Sequence, residues 1–186
     1  ITFETKLMDT FFYLHVHSSG EIDSKTKIIN KSIHPVEIDN IGLELSDWPA
    51  DDLFQSWPAF LSTNRLAAKI IHRKFTGIDF QEVNRVVADY NFKAFYPGFH
   101  PGNYYWLKIY GEIGKDDFAL FNRIYLVVSE RTLQFLRDNH VTYAESDAIS
   151  VPFSEYFDSD RKNFWIELER ERLAEKGLIK TNVERV

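Results

Sequence analysis

Alternation with a period of two opens the chain. In the stretch Thr10 to His17, Phe12, Leu14 and Val16 fall on one side and Tyr13, His15 and His17 on the other, which predicts a strand. After Ser18-Ser19-Gly20, Lys27 to Asn30 and Val36 to Leu45 read as further strands, with Pro35 limiting the start of the second and Asp39-Asn40 breaking it. Ser62 then stands ahead of Arg65-Leu66-Ala67-Ala68-Lys69-Ile70-Ile71, whose apolar residues recur at helical spacing. A serine there can accept a bond from a first-turn N–H, so Ser62 is the expected cap and Phe75-Thr76-Gly77 the expected end. Ile78 to Val83 alternates again and predicts a strand. From Asn91 to Gly102 the pattern dissolves into Phe, Tyr, Pro, Gly and His, and Tyr104 to Tyr110 resumes as a β-prone run.

Ile124-Tyr125-Leu126-Val127-Val128 is short, apolar and largely β-branched, and predicts a strand followed by Ser129 and a helix over Glu130 to Asn139, with Leu133 and Leu136 on one face. Pro152 closes the next strand-like piece. Arg161 to Lys176 reads as a last helix with Phe164, Trp165 and Leu168 as its stripe and Gly177 as its stop. One unit recurs in this series. Phe60-Leu61-Ser62, helix, Thr76 to Phe80 parallels Val127-Val128-Ser129, helix, Val141-Thr142-Tyr143, giving two related strand–Ser–helix–strand units at about 58–83 and 124–150. The expected architecture is a single α+β domain over residues 1–186, with a mixed, largely antiparallel sheet covered by two or three helices.

Composition narrows the chemistry. The 186 residues match the usual size of one domain, and an aromatic fraction of 16% supplies rings enough for a well-filled core. Cysteine is absent, which removes disulfides, thiolate metal sites and thiol nucleophiles together. No apolar run approaches the ~20 residues of a membrane span and no signal-peptide pattern precedes the first strand, so a cytoplasmic protein is expected. Because the chain opens on Ile1, a few missing leading residues are expected as well. A formal charge of −6 disfavours nucleic acid and anionic lipid and points instead to a basic partner.

Leu61-Ser62 before a helix, Phe75-Thr76-Gly77-Ile78-Asp79-Phe80 after it, Gly111 with Asp116-Asp117-Phe118, and Leu126-Val127-Val128-Ser129-Glu130-Arg131 together resemble the immunity proteins of bacterial polymorphic-toxin systems. The resemblance covers about residues 58–150. It implies a small intracellular protein that binds and neutralises a cognate toxin, without catalytic residues and without a cofactor. Some relatives in that broad group carry paired-cysteine metal knuckles, which this cysteine-free chain lacks.

Among chemistry-bearing residues, His15 and His17 share the spacing that puts two imidazoles on one strand face, the germ of a metal site that still needs a third ligand. Asp116-Asp117 and Asp158-Ser159-Asp160 read as solvated turn and cap acids. Ser62 and Ser129 lie outside any Gly-x-Ser-x-Gly setting, no phosphate-cradling glycine loop occurs, and Tyr104-Tyr105-Trp106 is not interleaved with basic residues. Leu45 to Pro58 reads as a surface connection, and Glu44, Asp47, Trp48, Asp51, Asp52 and Trp57 form the expected partner-binding surface: rings for affinity, carboxylates to steer a basic toxin. Neutralisation of a toxin is the work that the resemblance implies. The alternatives are a small metal-dependent enzyme using His15 and His17, or a structural or adaptor domain.

Overall fold

The computed structural model describes residues 11–30 and 36–149. They form an α+β fold of thirteen strands and three helices. The strands are β1 (Phe11–His15), β2 (Ser18–Ile22), β3 (Lys27–Asn30), β4 (Glu37–Asn40), β5 (Gly42–Leu45), β6 (Leu53–Trp57), β7 (Ala59–Thr63), β8 (Ile78–Glu82), β9 (Arg85–Ala88), β10 (Tyr104–Ile109), β11 (Phe118–Phe121), β12 (Tyr125–Ser129) and β13 (Glu145–Ala148). The helices are α1 (Asn64–Arg73), α2 (Tyr90–Phe95) and α3 (Glu130–Asp138).

A seven-stranded sheet runs in the order β8-β10-β7-β6-β2-β5-β9, and a four-stranded sheet in the order β11-β12-β1-β13. Pairing is antiparallel except for β2 with β6 and β5 with β9. The larger sheet curls until its edges nearly meet. At the β8–β9 corner the Val83 amide donates to the Tyr104 carbonyl (2.9 Å) and the Asn84 amide to the Ile41 carbonyl (2.9 Å), which draws β10 and β5 together. Leu43, Leu45, Phe54, Leu61, Val83, Phe92 and Trp106 pack inside the curl. The opposite face of β6, β7 and β10, with Leu53, Phe60, Leu107 and Ile109, packs with Leu66 and Ile70 of α1, Leu136 of α3, and Leu14, Leu126 and Val128 of the smaller sheet. The alternation read from the first strand therefore survives: Leu14 faces this shared core, and Phe11 and Tyr13 face a second cluster with Phe121 and Val127.

Several expectations need correction. Leu45 to Pro58 is not all surface connection, since its second half is β6, whose Leu53 and Phe54 are fully buried on opposite faces. Ser62 does not cap α1. It lies inside β7, paired with Leu53 and Tyr105, fully buried, and donates its hydroxyl to the Thr63 carbonyl (2.8 Å); Thr63 accepts from the Leu66 amide instead. Ser129 does cap α3, accepting from the Thr132 amide. Val141-Thr142-Tyr143 is a turn, and the strand of that unit is β13. Even so, the two units share a topology: β7 and β8 flank β10, and β12 and β13 flank β1, each neighbour antiparallel. The break near Asp39-Asn40 falls one residue later, at Ile41, and the patternless Asn91 to Gly102 contains the end of α2. Pro152, Asp158, Asp160 and the Arg161 to Lys176 helix lie outside the described residues.

Asp116-Asp117 is also not a pair of solvated turn acids. Asp117 is buried and accepts from the Thr76 amide (2.9 Å), the Thr76 hydroxyl (3.2 Å), the Ser129 hydroxyl (2.9 Å) and both Nε (2.5 Å) and Nη2 of Arg131. Burial pushes its pKa up, and the Arg131 guanidinium, Thr76 amide and Ser129 hydroxyl outweigh that and hold it below the usual carboxylate value. Gly77 and Gly111 close the same node: a methyl on either would run into the Phe118 carbonyl, and Gly77 also has a left-handed φ of 82°.

Candidate functional site

Ser46 to Asp52 joins β5 to β6 and is held in place from three sides. The Ser46 and Asp47 amides donate to the Ser19 carbonyl (2.9 and 3.2 Å). Asp47 accepts from the Trp48 amide (2.7 Å) and sets its other oxygen 3.3 Å from His17 Nε2. Asp51, only 9% exposed, accepts from the amides of Thr142 (3.1 Å), Tyr143 (2.9 Å) and Ala144 (3.0 Å), tying this connection to the turn after α3. Asp52 pairs through Oδ2 with Arg65 in the first turn of α1.

Trp48 rests on an aromatic cluster supplied by α2 and the residues after it. Asp89 caps α2 by accepting from the Phe92 amide (2.6 Å). The indole lies parallel to Phe92 (centroids 6.3 Å apart, planes at 5°), with Tyr96 at 5.1 Å and Phe99 edge-on at 5.5 Å. It nonetheless remains 46% exposed. Between this ring and the turn after α3 runs a groove of about 360 Å³, lined among others by Trp48, Asp51, Asp52, Arg65, Phe99 and Tyr143. Tyr143 stands 72% exposed on its far wall. Tyr104 also lines it, its hydroxyl pushed up by burial first and by the charge of Asp52 second.

The expected surface thus divides. Trp48, Asp51 and Asp52 meet in one groove, and Asp47 lies beside it. Trp57 sits at the far end of β6, four strand steps or about 13 Å from Leu53, where it lines a different cleft with Tyr13, His15 and Phe60. Glu44 lies on the outer face of β5 opposite Glu21 of β2. Among the six, Asp51 serves a structural tie rather than a free charge.

His15 and His17 address separate carboxylates. His15 Nε2 is 3.2 Å from Asp147 of β13, and His17 Nε2 faces Asp47. Among the described residues no three His, Asp or Glu side chains converge as a metal-binding group, and no helix is long and apolar enough to cross a membrane.

Sequence reasoning missed Arg65, Tyr96, Phe99 and Tyr143. Arg65 carried a local signal, because it stands in the first turn of a predicted helix; Tyr143 lies 92 positions from Asp51, and nothing local links them. Comparisons with protein-family models, with curated proteins and with solved structures gave no match.

Proposed function

We propose that the chain works by binding another protein through the groove between Trp48 and Tyr143, and that this partner is a basic toxin which it neutralises. The observation that carries the protein-binding reading is a set of exposed rings held in fixed positions. Exposed aromatics that are free to move lose side-chain entropy on binding, whereas Trp48 is seated on Phe92, Tyr96 and Phe99, and Tyr143 projects from a turn fixed by Asp51. Large rings in settled positions around a partly polar groove match the composition of binding hot spots. The resemblance to immunity proteins and the charge of −6 favour a basic toxin as the partner.

The test is co-expression with the product of an adjacent toxin gene. A one-to-one complex and rescue of growth are expected, and Trp48→Ala should weaken the complex by about 2 kcal/mol while the thermal transition of the variant stays cooperative. Absence of both complex and protection removes the toxin reading. Full affinity in a folded Trp48→Ala variant removes the groove.

A further inference from the structure

We infer that the groove receives an arginine side chain of the partner, its guanidinium laid on the exposed part of the Trp48 ring and hydrogen-bonded to Asp52. The inference rests on the protein-binding reading and names the chemistry of that same site.

Three observations converge. The Trp48 indole lies parallel to and offset from Phe92, with Tyr96 packed at a tilt and Phe99 edge-on, and these contacts still leave the residue 46% exposed beside the groove, so part of the ring is open to a ligand. Tryptophan offers the most negative π face of the natural side chains, and a planar guanidinium stacks on it more readily than a compact ammonium does.

The second observation is the carboxylate beside it. Asp52 lines the same groove and pairs with Arg65 through Oδ2, and among the described residues its Oδ1 accepts no hydrogen bond. An ionised carboxylate has about four acceptor positions, so one guanidinium does not exhaust it.

The third is the balance of charge. Arg65 and His140 are the basic side chains of the lining, and Arg65 is already engaged; Asp51 and Asp52 lie in it, with Asp47 next to Trp48. The excess is negative, and the Asp51 tie fixes the opposite wall with Tyr143 about the same opening. A cation with a flat, apolar-faced head fits both halves of this lining.

The probe is N-acetyl-argininamide, titrated into the full ¹⁵N-labelled chain while the indole N–H resonances are followed. The Trp48 signal is assigned by its loss in Trp48→Leu. Expected are saturable, millimolar shifts of the Trp48 indole and of the Asp52 and Tyr143 amides. The neutral isostere N-acetyl-citrullinamide should bind about tenfold more weakly, and Asp52→Asn should weaken the arginine probe by a similar factor. Tyr143→Ala, at an exposed position, should weaken it without disturbing the remaining spectrum. Absence of saturable shifts, or equal shifts with the citrulline probe, overturns the inference. No partner is needed for this readout, so its failure removes the arginine pocket alone, while the protein-binding reading stands or falls on complex formation and protection.

Discussion

Removing the Asp117 carboxylate is the sharpest available perturbation of the fold. In Asp117→Ala, the Thr76 amide, the Ser129 hydroxyl and the Arg131 guanidinium all lose their acceptor. Breaking a wholly buried ion pair by deleting one partner costs about 3–5 kcal/mol, mostly through the charge left behind. Here the orphaned charge is Arg131, whose side chain is 63% exposed and stays hydrated, so the cost falls below that range. The released amide and hydroxyl are part-buried, and each charge-assisted bond contributes about 1.5–3 kcal/mol, part of which water returns. The expected loss is about 2–3 kcal/mol, or about 5–10 °C in a chain of this length.

Urea unfolding followed by tryptophan fluorescence measures it, with Arg131→Ala as the companion. Arg131→Ala should cost less, about 1–2 kcal/mol, because the buried carboxylate keeps its bonds from Thr76 and Ser129. The double variant should show coupling of about 1 kcal/mol or more. The pH dependence supplies the sign. Asp117 ionises at lower pH in the folded chain than its ordinary 3.8, so its contribution is complete above that value and is lost as pH falls through the lower folded one. The stability gap between the parent and Asp117→Ala should therefore be wide at neutral pH and shrink below about pH 4; taking the difference cancels Asp23, whose carboxyl is likewise held low, chiefly by Arg85. Additive single variants, or a gap unchanged by acid, would refute the assignment of this node as a charged latch.

Three further outcomes follow from named contacts. Thr63→Ala should cost about 1 kcal/mol by removing the α1 cap, measured by the same denaturation, whereas Ser62→Val, which replaces a buried hydroxyl in β7, should leave helix fraying in hydrogen exchange unchanged. Gly111→Ala should destabilise by at least about 1–3 kcal/mol, because the new methyl meets the Phe118 carbonyl and lies 2.7 Å from Gly77 Cα; a neutral result in thermal unfolding would contradict that packing. Asp51→Asn can satisfy at most part of the three-amide nest, so exchange protection of the Thr142, Tyr143 and Ala144 amides should drop about tenfold or more while β10 stays protected.

Legibility from sequence followed period, composition and length. α1 and α3 were visible because each keeps one face apolar at helical spacing, and β1, β10 and β12, although buried on both faces, because each is a run dense in aromatic and β-branched residues. β6 was hidden: its Leu53 and Phe54 are buried on both faces of the larger sheet, which erases alternation, and Trp, Pro and Asp surround it. α2 has six residues, fewer than two turns, and its Tyr90 and Phe95 point outward, so its apolar stripe reduces to Phe92. Ser62 and Thr63 are equally competent caps in sequence. Register decides between them, because pairing with Leu53 and Tyr105 places Ser62 inside the sheet. At the groove, Trp48 and Asp52 were legible as an acidic–aromatic segment, but the role of Asp51 depends on a turn 91 to 93 residues away and was not.

The residues on which the family resemblance rested and the residues of the groove form separate sets. Thr76, Gly77, Gly111, Asp116, Asp117, Ser129 and Arg131 gather at one node, where they join the end of α1, the end of β10, the start of β11 and the start of α3. Their spacing is a requirement of closure: a carboxylate needs donors on each side, and two glycines must let the Phe118 carbonyl pass. None of the seven lines the groove at Trp48. A chain built this way can exchange Trp48, Asp52 or Tyr143 for other side chains at little cost to the latch, since substitutions at sites without shared partners add nearly independently. The latch motif therefore describes how the chain closes. On the proposed protein-binding reading, partner choice would rest instead on the connection between β5 and β6 and on the turn after α3, which Asp51 ties together by accepting from three amides. Exchanging the side chains at Trp48, Asp52 and Tyr143 together should accordingly redirect binding while leaving the acid sensitivity set by Asp117 where it was.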